Sequence, residues 1–150
     1  MVEIKMEKKI LNLTQHLVSP EQKEAGVFEP ADKQRVKELL TFDEIPDISV
    51  LGKRAIQIAN IAKSAGADKA MIGGAPFFMA PLEAFLVKER VTPLYAFSER
   101  VVEEDGNGKK TAIFKHLGFV EGVTTVISGR ETSFLDRITT CLIYDYREVK

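Results

Sequence analysis

The string AMIGGAPFFM, residues 70 to 79, constrains the fold more than any other part of the chain. Ala70, Met71 and Ile72 form an apolar run with no polar face, preceded by Gly66, Ala67 and Asp68, the pattern of a strand covered on both sides. Gly73 and Gly74 remove side-chain obstacles and permit φ > 0, and Pro76 suits the first position of a helix. Such a joint leaves first-turn N–H groups unpaired. Their partial positive charge favours an anion such as a phosphate. A tight strand-to-helix turn with no ligand is the alternative reading, because a glycine pair alone is a weak signal. No Lys-Ser/Thr follows, which excludes a P-loop, and the G-x-G-x-x-G fingerprint is absent.

The flanking sequence repeats the alternation of strand and helix. Ile10 to Leu13 reads as a first strand ending in the polar triplet Thr14, Gln15 and His16. Ser19 and Gln22 have capping-box spacing for a short helix closed by Gly26, and Val27 to Glu29 reads as a brief second strand. In KQRVKELL, Val36, Leu39 and Leu40 share a helical face. Ile48, Leu51, Ala55, Ile58, Ala62 and Ala65 give a longer amphipathic helix that Gly66 ends. Pro81 suggests a separate first turn at 76 to 80 before a regular helix.

Thr92 to Phe97 is a further apolar strand, expected to end in a second polar triplet, Ser98, Glu99 and Arg100. Asp105-Gly106 and Asn107-Gly108 signal a hairpin, with TAIFKHLGFV returning antiparallel and Phe97 or Ser98 opposite His116. Beyond Thr124, a short helix around Ser133 to Ile138 and a strand through CLIYDY are the readings.

These elements predict a three-layer, Rossmann-like α/β domain whose sheet is mainly parallel with an antiparallel hairpin at one edge. Residues 1–122 form that domain, and 123–150 a C-terminal extension packed on it. In such sheets ligands bind beyond the carboxyl ends of the parallel strands. The loops at Thr14 to His16, Gly73 to Pro76 and Ser98 to Arg100 are therefore expected to gather there.

Composition narrows the partners. Lysine plus arginine number 21 against 22 acidic residues, so no global field draws the protein to long duplex nucleic acid or an anionic membrane. Cys141 is the single cysteine, which excludes an internal disulfide and a multi-cysteine zinc site. No segment reads as a signal peptide or reaches the roughly 20 apolar residues of a membrane span, so a soluble cytoplasmic protein is expected.

Two histidines, His16 and His116, are candidates for proton transfer or for donating to a phosphate oxygen. Each reads more readily as an ordinary hydrogen-bonded structural group. They form no H-x-x-x-H pair, and neither a metal nor a cofactor is expected from local motifs. Arg100 and Lys115 suit a phosphate, although pairing with Glu99 or Glu103 is an alternative. Ser98 and Thr14 offer hydroxyls, but no G-x-S-x-G elbow surrounds Ser98. Of Phe77 and Phe78, one can stack on a base while at least one belongs to the core.

The ordered set of Gly-rich loop, P-L-Y-A strand, S-x-R, D-G turn and F-K-H-x-x-F resembles a small CRISPR-associated Rossmann-like family, over roughly residues 8 to 121. That family is related to the CARF sensor domains and includes stand-alone ring nucleases that degrade cyclic oligoadenylates. The resemblance implies a metal-independent phosphodiesterase in which a ribose 2′-hydroxyl attacks the adjacent phosphodiester. Gly74, Ala75, Arg100 and Lys115 would hold the phosphate, and His16 or His116 would move the proton. It also implies a homodimer, whose two-fold axis matches a cyclic tetranucleotide. A sensor that binds the ring without cutting it, or an interaction protein of a defence or mobile-element system, fits the same residues.

Overall fold

The computed structural model describes residues 9–122. The readings made for 123–150, including the extension, the helix near Ser133 and the strand through CLIYDY, lie outside the described residues. The strands are β1 (Ile10–Leu13), β2 (Val27–Phe28), β3 (Lys69–Ile72), β4 (Thr92–Glu104) and β5 (Lys110–Glu121). The helices are α1 (Pro20–Glu24), α2 (Lys33–Leu40), α3 (Ile48–Ser64) and α4 (Pro76–Lys88). One sheet has the order β2-β1-β3-β4-β5, parallel throughout except for the antiparallel β4–β5 pair. The Rossmann-like α/β layout expected from the alternation of elements is the one observed.

Alternation along the short strands divides the core. Leu11, Leu13, Ala70 and Ile72 face a large cluster built with Val36, Ile58, Phe78, Leu82 and Leu86 from α2, α3 and α4. Ile10, Val27, Met71 and Leu94 form a smaller cluster on the other face, against which Val18 and Phe119 pack. Every residue of β1 is buried, as expected of a central parallel strand.

Local chemistry starts the first three helices in the same way. The Ser19, Asp32 and Asp47 side chains accept hydrogen bonds from the backbone N–H groups of Gln22, Arg35 and Val50, three residues on. The Ser19–Gln22 capping box is complete. Along α3 the expected face holds at its centre, with Ala55, Ile58 and Ala62 buried, while Ile48 and Ala65 are exposed at its ends.

Two expectations need correction. α4 is one helix from Pro76 through Pro81, with no new start at 81. Proline at 81 removes only the N–H that would bond the Phe77 carbonyl, and burial of Phe78, Leu82 and Leu86 holds both sides of that gap. Nor does β4 end at Phe97. It continues to Glu104, because the Asp105 side chain accepts from the N–H groups of Asn107 and Lys109 and Gly108 takes φ +80°, closing a turn that keeps the ladder in register. β3 pairs β4 only as far as Tyr95, so residues 96–119 form a two-stranded arm beyond the sheet. Ser98 stands opposite His116, after a bulge at Phe97/Ser98. Among the described residues no helix is long and apolar enough to cross a membrane.

Candidate functional site: the crevice between strands β1 and β3

β1 has β2 on one side and β3 on the other, so the chain leaves it in opposite directions, and the crevice of an open α/β sheet falls at the carboxyl ends of β1 and β3. Thr14 and Gly73 follow those ends directly and are neighbours: a Cβ added at Gly73 would lie 3.7 Å from Thr14 Cγ2.

One wall is a polar network rooted in Asn12, which is completely buried. Its Oδ1 accepts from the Thr14 N–H at 3.0 Å and hydroxyl at 2.7 Å, while its Nδ2 donates to the His16 carbonyl at 2.7 Å and to the Glu29 carboxylate. Glu29 also accepts from the Val18 N–H at 2.6 Å and pairs with Lys33 at 3.2 Å. Lys33 Nζ donates to the carbonyls of Thr14 and His16 at 2.6 and 2.9 Å. Burial works against the Glu29 carboxylate, but the Val18 N–H, the Asn12 amide and Lys33 outweigh it and hold its pKa below the ordinary value. Burial also lowers Lys33, with Glu29 opposing the shift.

The floor is the joint singled out from sequence. Gly74 has φ +146°, a conformation side chains rarely adopt, and a Cβ there would meet Met79 and Leu40. α4 is the one described helix of these four whose N-cap, Ala75, supplies no side-chain acceptor, and Pro76 has no N–H to satisfy. The Phe78 N–H bonds the Ala75 carbonyl at 2.9 Å, so the first-turn donor left open among the described residues is the Phe77 N–H.

The α2–α3 corner is the third wall. Gln15 donates to Thr41 Oγ1 at 3.1 Å. Arg54 donates to the carbonyls of Leu39 and Thr41 and lies 4.5 Å from the centroid of Phe42. Phe42 meets Phe77 and Phe78 edge-on at 5.1 and 5.3 Å. Phe78 is wholly buried and Phe77 half exposed, so the two split between core and surface.

Thr14, Gln15, His16, Gly73, Gly74, Ala75 and Phe77 are thus gathered on one edge of the sheet. Ser98, Arg100, Lys115 and His116 lie on the arm, where Arg100 pairs across the ladder with Phe114 and Lys115 with Glu99. Arg100 is five residues past Tyr95, about 17 Å along an extended strand. His16 is exposed and enters the network through its carbonyl. The His116 ring is 4.7 Å from that of Phe119, and its Nδ1 is buried without a hydrogen-bond partner among the described residues.

Sequence reasoning missed Asn12, Glu29, Lys33, Phe42 and Arg54. Asn12 left a signal, a single amide inside the apolar run ILNL; the others converge only through the fold. Among the described residues no three His, Cys, Asp or Glu side chains are grouped to hold a metal ion.

Fold and crevice define a Rossmann-like α/β domain with a polar hydrogen-bond network at its topological switch point. The chain belongs to the uncharacterized protein MJ1673 family, whose model matches residues 8–120, a span that takes in β1 through nearly all of β5. Neither the curated proteins nor the solved structures gave a match.

Proposed function

We propose that the protein binds a small phosphate-bearing nucleotide of the cyclic oligoadenylate class across the β1/β3 crevice. The observation that carries this reading is the uncapped first turn of α4, set behind a glycine pair at the switch point while the other helices bear side-chain caps. The ligand class comes from the resemblance to the CRISPR-associated Rossmann-like proteins. A cytoplasmic homodimer suits it, since a two-fold pair of crevices matches a cyclic tetranucleotide.

A second reading, ring opening, comes from the same resemblance and takes His116 on the arm, whose Nδ1 has no hydrogen-bond partner among the described residues, as the proton acceptor. In that reaction the ribose 2′-hydroxyl loses its proton to a histidine and its oxygen bonds to the adjacent phosphorus. The bond to the 5′-oxygen breaks, that oxygen takes up a proton, and a 2′,3′-cyclic phosphate remains. Backbone donors at Gly74 and Ala75 stabilise the phosphorane.

The test is incubation with cyclic tri-, tetra- and hexa-adenylate in EDTA, measuring both binding and linear products. Binding without products fits the first reading, and products add the second. Absence of binding to all three rings overturns both. If products form, His116→Ala is expected to slow them without altering the fold, and an unchanged rate removes His116 from the reaction.

A further inference from the structure

A cleft of about 470 Å³ lies between the α2–α3 corner and the start of α4, lined by Phe42, Ile45, Pro46, Leu51 and Phe77 with Asp43 and Glu44. We infer that this cleft seats an adenine base of the nucleotide whose phosphate rests on the first turn of α4. The inference rests on the binding reading above and adds a subsite to it.

Position comes first. Phe77 is the second residue of α4, so the cleft opens within one helical turn, about 5.4 Å of axis, of the phosphate-binding amides. A phosphate held there and a base held against Phe77 are neighbours within one nucleotide.

The cleft is also apolar where a base has its faces. Ile45 is 100% exposed and Phe77 51%, an arrangement that leaves oily surface in water beside the crevice. Phe77 cannot simply fold inward, because the buried space beneath it belongs to Phe78 and its flank is occupied by Phe42. Phe42 is fixed in turn by Arg54 stacked on its ring, and Arg54 by the carbonyls of Leu39 and Thr41. The platform is therefore preorganised, which lowers the entropy cost of stacking a ligand on it.

Charge then favours a base that presents an amino group. With Arg54 committed to those carbonyls, the exposed carboxylates of Asp43 and Glu44 give the cleft an acceptor-only rim. Adenine meets it with the exocyclic amino group as donor. A base presenting a carbonyl at that edge, such as hypoxanthine, sets oxygen against carboxylate and is disfavoured.

The chain contains no tryptophan, so Phe77→Trp introduces a single reporter while keeping the stacking surface. Titration of this variant with cyclic tetra-adenylate is expected to quench its emission. By calorimetry, Phe77→Ala is expected to bind the ring about tenfold more weakly than wild type, the worth of one stacked base. Asp43→Asn with Glu44→Gln is expected to reduce the preference for adenine over hypoxanthine rings. If wild type binds the ring while Phe77→Ala binds it equally and Phe77→Trp shows no quenching, the base subsite is wrong and the binding reading stands. If wild type binds no ring, the binding reading falls and takes the subsite with it. If Ile45→Asp turns a ligand-free dimer into a monomer in sedimentation, the cleft is covered by a second copy and the proposal is overturned.

Discussion

The Thr14 to Val18 loop and the β4–β5 arm both leave the carboxyl edge of the sheet, yet they are held in opposite ways. The loop is short, irregular and tied to three side chains from elsewhere in the fold, Asn12, Glu29 and Lys33, which between them satisfy the Thr14 and Val18 N–H groups and the Thr14 and His16 carbonyls. The arm is regular ladder apart from the Phe97/Ser98 bulge, and only its base, at Phe119, packs on the core. Past Tyr95 it pairs only with itself, Phe97, Val102, Phe114 and Leu117 are more than half exposed, and its side-chain hydrogen bonds among the described residues are those of the Asp105 turn. A two-stranded ribbon alone is marginal in water. Regular structure and rigidity are therefore different properties here, and the irregular loop is the better-fixed wall for a ligand.

The largest test replaces the root of the network. Asn12→Leu keeps the branched shape but leaves the Thr14 N–H without its acceptor and takes one donor from the His16 carbonyl, and is expected to cost about 3 kcal/mol in urea unfolding. On the arm, Arg100→Ala is expected to stay within about 0.5 kcal/mol. Equal losses at the two sites would break the contrast. A smaller effect is expected where the arm rejoins the fold. A Cβ at Gly122 would overlap the Glu83 carboxylate and lie 2.8 Å from Pro93 Cγ, so Gly122→Ala is expected to destabilise by about 2 kcal/mol. Gly118→Ala, with nothing within 4 Å, is expected to change stability by less than about 0.5 kcal/mol in the same assay.

This division also explains what the sequence made legible. Strand β3, the glycine joint and the capped helices are local patterns, and the Ser98–His116 register follows from counting back from the Asp105 turn. The end of β4 was not local in that sense. Serine, glutamate and arginine after an apolar strand read as a loop, but here they continue an exposed ribbon whose ladder is set by the turn six residues on. Asn12, Glu29 and Lys33 belong to β1, the β2–α2 connection and α2, and only the pairing of β1 with β2 brings them together. The α2–α3 corner is silent in the sequence for the same reason: Phe42 and Ile45 have no periodicity and acquire meaning only beside Phe77.

Acidification examines the network more gently. Glu29 has a folded pKa below the unfolded value of 4.5, so its contribution is fully present above pH 4.5 and is lost as the pH falls through the lower folded value. Because the Glu29–Lys33 pair is partly exposed, the contribution is expected to be under about 1 kcal/mol. Urea midpoints measured from pH 6 down to 3, as an order-of-magnitude window around the carboxylate range, are expected to fall less steeply for Glu29→Gln than for wild type. Parallel curves would mean that Glu29 does not hold the loop.

The smallest effect reports on the joint between the two regions. Tyr95 is the last residue of β4 bonded to β3, and burial, then the charge of Glu83 and a hydrogen bond to it, push its hydroxyl up to about 12. Its folded pKa lies above the unfolded 10.0, so the neutral form is favoured, and the stability it confers is whole below pH 10.0 and lost as pH rises towards 12. In the ultraviolet difference spectrum between wild type and Tyr95→Phe, this phenol is expected to titrate near 12, and Glu83→Gln is expected to lower that value. Titration at the ordinary tyrosine value would mean that water reaches the hydroxyl and that the base of the arm is as open as its tip. An intact high value would place the boundary between fixed and free structure within one or two residues of Tyr95, where the Phe97/Ser98 bulge interrupts the ladder.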